Sequence, residues 1–356
     1  MIRISGIFMG GMIAFRARAG NLYNVGMRAA VIQAFGGPEV LQIEDRPEPV
    51  LRETDVLVEV HATSVNPVDT KVRASSSAPR ALPLILGYDV SGVVVRCGSR
   101  ATQWKPGDEI FAAPNLFRDG ANAEYVAIDG RSAARKPASV DHATAASLPL
   151  VSQTAWEALH LRARISPGQT VLIHAGAGGV GHIAVQLAKL HGCRVITTAG
   201  REDSLAFCRD ILKADEVIDY QRVNFVDRVR EITQGKGVPV VLDTVGGEVF
   251  AKSLDCAAIN AQVVTILGSN TGDRSRGLLY RNISLHYEFM GVPTAHEVEP
   301  ERPGQILSGI AQLVDAGLLR PHVSQRVPLE QIAAAHRQVE TGRTIGKVVV
   351  LLRPPA

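Results

Sequence analysis

The sequence has few cysteines, no dense basic block, no membrane-length apolar run and no internal repeat. Its four cysteines, Cys97, Cys193, Cys208 and Cys256, are widely spaced and form no CxxC pair. This speaks against a disulfide framework or a cysteine-rich zinc knot and suits small buried apolar groups. With 38 basic and 35 acidic residues the net charge is +3, and no Lys/Arg cluster is dense enough to form a nucleic-acid surface. Glycines 6, 10 and 11 interrupt the apolar run Ile4–Phe15, which is too short to span a bilayer. Neither nucleic acid nor membrane is expected as a partner.

Acid is missing from the leading segment. None precedes Glu39, whereas Arg3, Arg16 and Arg18 are basic. Ala17-Arg18-Ala19 loosely fits a small-x-small cleavage site, the mark of a targeting peptide. The alternative reading, adopted as the expectation, is a flexible or upstream-start extension over residues 1–26. Folded sequence then begins near Met27, in a cytoplasmic protein.

What is present is 356 residues with 46% hydrophobic content, enough for roughly two domains. From Met27 to about Pro149 the chain is rich in short strand candidates. Val56–Val65 alternates, Tyr88–Cys97 carries a β-branched run, and Asp108–Ala112 and Glu124–Ile128 are shorter; Gly and Pro punctuate them. Helical spacing follows over Ala143–Leu161. Strands are then predicted at Val171–Ile173, Arg194–Thr198, Glu216–Ile218, Val238–Leu242 and Gln262–Leu267, alternating with helices. That alternation predicts an α/β protein, a doubly wound parallel sheet beside a compact β-rich domain. From about Arg302 a helix, a strand, a second helix and the apolar strand GKVVVLL follow; the last strand needs a sheet to join.

The most informative stretch is Val171–Lys189, VLIHAGAGGVGHIAVQLAK. A short apolar strand runs into Gly176-x-Gly178-x-x-Gly181, and an amphipathic helix follows at once. This is the order a dinucleotide pyrophosphate needs. Gly176 allows the tight turn, Gly178 lets the backbone approach the anion, and Gly181 lets the helix pack on the strand. Free N–H groups at the helix start, reached through Ala177, Gly179 and Val180, face the anion. A structural glycine-rich turn is the alternative.

Taken together, these pieces resemble the medium-chain dehydrogenase/reductase superfamily, and especially its zinc-independent quinone oxidoreductases. The resemblance covers Met27 to about Leu352 and rests on Asn66-Pro67-Val68-Asp69, Leu86-Gly87-Tyr88-Asp89-Val90-Ser91-Gly92, Trp104-Lys105-Pro106-Gly107-Asp108, Gln153-Thr154-Ala155-Trp156 and the glycine turn. It implies a GroES-like catalytic domain over 27–150, a Rossmann domain over 151–290 and a C-terminal return over 291–356 that completes the catalytic domain. It also implies a dimer, and the apolar strand candidate Val263–Leu267 is expected near an exposed edge that a partner could use. Zinc-dependent relatives place a cysteine where Asn66–Asp69 lies, a histidine and a glutamate where Tyr88 and Asp89 lie, and a four-cysteine lobe elsewhere. Zinc needs about four convergent ligands, and His61, His174 and His182 have no suitable thiol partners. No metal is expected.

The resemblance further implies that Asn66 lies near the nicotinamide, where its amide can donate to a substrate carbonyl. Tyr88 is the second candidate, donating to developing oxyanion charge or relaying a proton. The alternatives are a turn residue before Pro67 and a core aromatic. Asp69 is expected to hold backbone or a basic neighbour. Lys71 stands where relatives often carry a tyrosine, and Arg73 with Lys71 hints at charge beside the cleft. Thr154 resembles a threonine that touches the cofactor, against a hydroxyl bonded back to its own helix. Gly268-Ser269-Asn270 ends a parallel strand, where such sheets bind ligands. Phe289 and Met290 either wall the substrate site or pack in the core.

An acid that would bind a ribose 2′-OH is absent after Thr197-Thr198-Ala199-Gly200, and Arg201 follows, with a planar fork suited to a phosphate. NADPH is therefore the expected cofactor, although Glu202 and Asp203 stand close by. Without a Lewis acid, reduction of a quinone or an activated C=C asks less than alcohol oxidation. The expected function is an NADPH-dependent reductase of a small-molecule electrophile, a quinone or an enone. An acyl-thioester enoyl or short-chain enal reductase, and a non-enzymatic NADPH-binding regulatory protein, are the alternatives.

Overall fold

The computed structural model describes residues 26–75, 81–268 and 274–353. The basic leading segment, residues 1–25, lies outside them, as do Ser269 and Asn270.

The first part of the chain builds an antiparallel unit. Strand β1 (Gly26–Ile32) pairs with β2 (Leu41–Pro47), and β3 (Asp55–Val65) runs on into helix α1 (Pro67–Ala74). Pro67 opens α1 because the first turn needs no N–H from it. Strands β4 (Leu84–Ile85), β5 (Val90–Cys97), β6 (Glu109–Ala112), β7 (Tyr125–Asp129) and β8 (Ala134–Arg135) follow. The alternating apolar residues Val56, Val58 and Val60 of β3 pack with Val90, Val94 and Ile110 in one buried cluster.

The helical pattern over Ala143–Leu161 is interrupted. A short α2 (His142–Ala145) ends before Leu148, and Pro149 starts α3 (Pro149–Trp156), which continues as a wider π turn through Arg162. The amides of Ser147 and Leu148 are satisfied by tighter bonds to Thr144 and Ala145, so proline resets the helix without orphaning the preceding backbone.

The parallel unit runs β9 (Thr170–Ile173), α4 (Gly179–Leu190), β10 (Arg194–Ala199), α5 (Glu202–Ala206), β11 (Glu216–Asp219), α6 (Phe225–Ile232), β12 (Val238–Asp243), α7 (Gly247–Cys256), β13 (Ala257–Thr265), α8 (Ser275–Tyr280) and β14 (Ser284–Tyr287). Its six strands lie in the order β11-β10-β9-β12-β13-β14, all parallel. The order reverses beside β9, so the glycine turn sits at the switch point where such sheets open a crevice. Strand β13, which holds Val263–Thr265, lies one strand in from the edge, and β14 forms the edge beside it.

Helices α9 (Val292–His296) and α10 (Arg302–Asp315), strand β15 (Val323–Pro328), helix α11 (Ile332–Glu340) and strand β16 (Lys347–Leu351) complete the fold. Strand β16 lies between β15, to which it is parallel, and β3, to which it is antiparallel, with Val348 opposite Val65. The apolar strand thus finds its partner in the first half of the chain. A seven-stranded sheet results, in the order β15-β16-β3-β5-β6-β8 with β7 also paired to β3. Among the described residues no helix is long and apolar enough to cross a membrane.

Candidate functional site

The glycine turn lies at the mouth of the parallel sheet. A Cβ on Gly176 would sit 2.1 Å from the Thr197 hydroxyl oxygen, and one on Gly181 would sit 2.1 Å from the Ala175 carbonyl oxygen. Neither position has room for a side chain. Gly178 caps α4 without a side-chain bond, and a Cβ there would meet only the Ala175 oxygen, at 3.2 Å. The first-turn N–H groups of α4 have no intrahelical acceptor and carry the positive end of the helix dipole. Ala177 is buried and its carbonyl accepts from Gly346 at 2.8 Å, which ties the turn to the residue before β16. Val180 packs partly buried against the core. Among the described residues a Cβ on Gly268 would meet nothing within 4 Å. These features fit a dinucleotide pyrophosphate.

Directly beside the turn lies a buried polar cluster. Asn66, Asp69, Asp89 and Lys347 are 1%, 1%, 0% and 2% exposed. The Asn66 amide nitrogen donates to Asp89 Oδ2 at 2.7 Å, and Ser64 Oγ donates to the same oxygen at 2.5 Å. Asp89 Oδ1 accepts from the Leu150 N–H at 2.7 Å, which links the cluster to α3. Lys347 Nζ donates to Asn66 Oδ1, to the Val65 carbonyl at 3.2 Å and to Asp89 Oδ2 at 3.3 Å. Burial pushes the Lys347 ammonium below the usual lysine range, and the charge of Asp89 opposes that shift. Asp69 holds backbone: its carboxyl accepts from Asn66 N at 2.8 Å and Gly87 N at 2.9 Å. Burial pushes Asp69 up to about 7, against those two bonds.

The other candidates lie as follows. Tyr88 is buried among Leu86, Val72 and Val348. The Thr154 hydroxyl donates back to Leu150 O at 2.7 Å, so only its lone pairs remain for a ligand. Arg201 ends up beyond β10, where one guanidinium nitrogen donates to Asp203 at 3.0 Å and to the Arg343 carbonyl at 2.8 Å. Tyr220 stands against Gly200 there: a Cβ on Gly200 would lie 2.5 Å from its ring. Met290 is buried, while Phe289 is partly exposed. Arg73 is no cleft charge. It is buried, bonded to the Gly36 carbonyl at 3.0 Å and to Glu340. Cys97 is only partly buried, whereas the other three cysteines are buried.

Sequence reasoning missed Lys347, Ser64 and the central place of Asp89. A charged residue heading the otherwise apolar GKVVVLL was the available signal for Lys347. His174 and His182 serve the scaffold: His174 bonds Thr198 and Ser253, and His182 bonds the Gly178 carbonyl and receives the His322 N–H. Zinc does not fit this chemistry. The Asp89 oxygen that would be a ligand already meets an ammonium, and its neighbours are an amide and a hydroxyl. Among the described residues no three His, Cys, Asp or Glu side chains converge as a metal site.

Residues 52–138 match the family described as "Alcohol dehydrogenase GroES-like domain", and residues 212–350 match "Zinc-binding dehydrogenase". The chain is 30% identical to quinone oxidoreductase of Homo sapiens over 335 residues, covering 92% of this chain and 98% of that protein. It is 33% identical to the NAD(P)H oxidoreductase RTN4IP1, mitochondrial, of Homo sapiens, covering 91% and 89%. The crystal structure of Escherichia coli quinone oxidoreductase complexed with NADPH superposes with a TM-score of 0.82 at 29% identity, covering 91% of this chain and 99% of that one. The chain belongs to the medium-chain dehydrogenase/reductase superfamily, in its zinc-independent quinone oxidoreductase branch. It is an oxidoreductase of a family that binds NAD(P)H and acts on small-molecule electrophiles. The expected cytoplasmic location is corrected. Matched relatives from Homo sapiens, Mus musculus, Bos taurus and Danio rerio are named as mitochondrial proteins, so this fold does not carry a cytoplasmic address.

Proposed function

We propose that the protein is an NADPH-dependent reductase that delivers hydride to quinones or to the activated C=C of enones without a metal. The observation that carries this reading is the Asn66 amide, held between Asp89 and Lys347 beside the glycine turn. The bound reduced nicotinamide would supply the hydride. The backbone N–H groups at Gly179, Val180 and Gly181 would hold the pyrophosphate, with Gly176, Ala177 and Gly178 shaping the turn. Thr154 and Gly268 would border the nicotinamide end. Asn66 would donate its remaining amide hydrogen to the substrate carbonyl oxygen, stabilising the enolate or hydroquinone anion as charge develops. Tyr88 would act with it as a donor. Arg201 would meet the 2′-phosphate, and the lack of an acid at the end of β10 supports NADPH over NADH.

A homodimer belongs to the same proposal. Its support is the edge strand β14, flanked by the exposed Ile259, Leu279 and Tyr280. Light scattering on the purified protein reads the assembly directly.

Anaerobic NADPH oxidation tests the function, with 1,4-benzoquinone and an α,β-unsaturated ketone assayed separately and NADH in parallel. Chelator-resistant turnover that prefers NADPH is the expected result. Tight NADPH binding with no turnover of either class would turn the reading towards an acyl-thioester, an enal or a binding role. Turnover restored only by zinc would refute it.

A further inference from the structure

Lys347 heads β16, and its register fixes where it ends. Val348 pairs with Val65, which brings Lys347 opposite Asn66. Its stem passes the first turn of α4, where a Cβ on Gly179 would lie 3.4 Å from Lys347 Cδ. The ammonium has three hydrogens and three acceptors, the Val65 carbonyl, Asn66 Oδ1 and Asp89 Oδ2, so none remains for a substrate.

The consequence falls on Asn66. Its Oδ1 faces the ammonium and its Nδ2 faces the Asp89 carboxylate. A flipped amide would aim an NH2 at a cation and a carbonyl oxygen at an anion, and both contacts would be repulsive. One Nδ2 hydrogen remains in the held orientation. We propose that Lys347 is a positioning residue that locks the Asn66 amide, leaving that hydrogen for the oxygen of a bound electrophile. The role rests on the proposed reductase function, because it assigns Lys347 its effect through Asn66. The lock itself exists with or without substrate.

The test uses the full chain as Lys347→Met, Asn66→Ala and the two combined, with three readouts. Turnover of 1,4-benzoquinone in Lys347→Met is expected to fall roughly tenfold or more, the scale of a misplaced oxyanion donor. In the Asn66→Ala background the same change is expected to cost almost nothing, because groups acting as one unit are not additive. The NADPH Kd, read by fluorescence, is expected to stay within about threefold. The third readout is the Asn66 side-chain amide in a ¹H–¹⁵N spectrum, assigned by its loss in Asn66→Ala. It is expected to move or broaden in Lys347→Met.

Wild-type turnover in Lys347→Met, additive losses, or an unmoved amide signal would each overturn the proposal. Removing one buried charge strands its partner. Should Lys347→Met fail to fold, Lys347→Met with Asp89→Asn removes both charges at similar volume. That pair is expected to bind NADPH and turn over poorly; wild-type turnover there overturns the lock. If the wild type reduces neither electrophile, the reductase reading fails, while the amide signal still decides the lock.

Discussion

Three glycines separate folding from cofactor binding. In Gly181→Ala the new Cβ would lie 2.1 Å from the Ala175 oxygen, 2.9 Å from its carbonyl carbon and 2.9 Å from Gly176 Cα. All three are backbone atoms, so no side chain can rotate away. Reaching an ordinary contact moves the start of α4 off the turn by about 1 Å, an overpacking cost of roughly 1–3 kcal/mol. The same shift withdraws the first-turn N–H groups from the pyrophosphate. Two or three charge-assisted bonds weakened together raise the NADPH Kd by at least about tenfold, at 1.4 kcal/mol per decade. Gly178→Ala differs, because its Cβ meets one oxygen at 3.2 Å and its φ is −76°. The fold should hold to within about 1 kcal/mol, while the methyl group stands where the anion approaches and binding suffers. Gly309→Ala, in α10 with nothing within 4 Å, is the control and should stabilise by about 0.5–1 kcal/mol. Chemical denaturation and NADPH fluorescence titration on the three variants give the comparison. Gly181→Ala with wild-type stability and wild-type Kd would refute the reasoning.

Asn66→Ala should lower kcat/KM for benzoquinone by about 10²-fold with little change in NADPH affinity; equal activity would remove Asn66 from the site. Arg201→Ala should weaken NADPH by roughly tenfold and leave NADH unchanged, measured as paired Kd values; equal losses for both cofactors would count against a 2′-phosphate contact. Burial pushes His174 and His182 down to about 4. The unfolded chain takes up those protons first, so their contribution is complete above about pH 6.5 and is lost as pH falls towards 4, at about 1.4 kcal/mol per unit and histidine. His174→Asn should flatten the fall in denaturation free energy over that window. Asp69, raised to about 7, acts with the opposite sign and loses stability as pH rises from about 4 to 7. The difference between variant and wild type is therefore the quantity to read, and an unchanged slope in His174→Asn would refute the assignment.

Legibility in the sequence followed the range of the interaction. The alternation of Val56–Val65 and the glycine turn are local patterns, and both have direct counterparts in β3 and in the start of α4. The break before α3 was hidden because Ala143–Leu161 keeps helical spacing while Pro149 resets the backbone. The edge strand β14, SLHY, mixes polar and apolar residues and is not fully buried, so no clear period marked it. Arg73 looked like a surface cation because nothing nearby in sequence announces Glu340 as its partner. Asn66 was chosen through its local motif, but its partner Lys347 lies 281 residues away. Only the pairing of β16 with β3 brings the two together.

That pairing also sets an order of assembly. The sheet whose strand β3 leads into Asn66 contains a strand that begins 282 residues after Val65, and the whole parallel unit lies between them. During synthesis the parallel unit can close on itself while β3 still exposes the edge reserved for β16. Contacts this distant close slowly, and an open edge invites the wrong partner. The same late strand carries Lys347, so Asp89 is buried beside a cation only once β16 has docked. Closing the sheet and completing the candidate site are therefore one event.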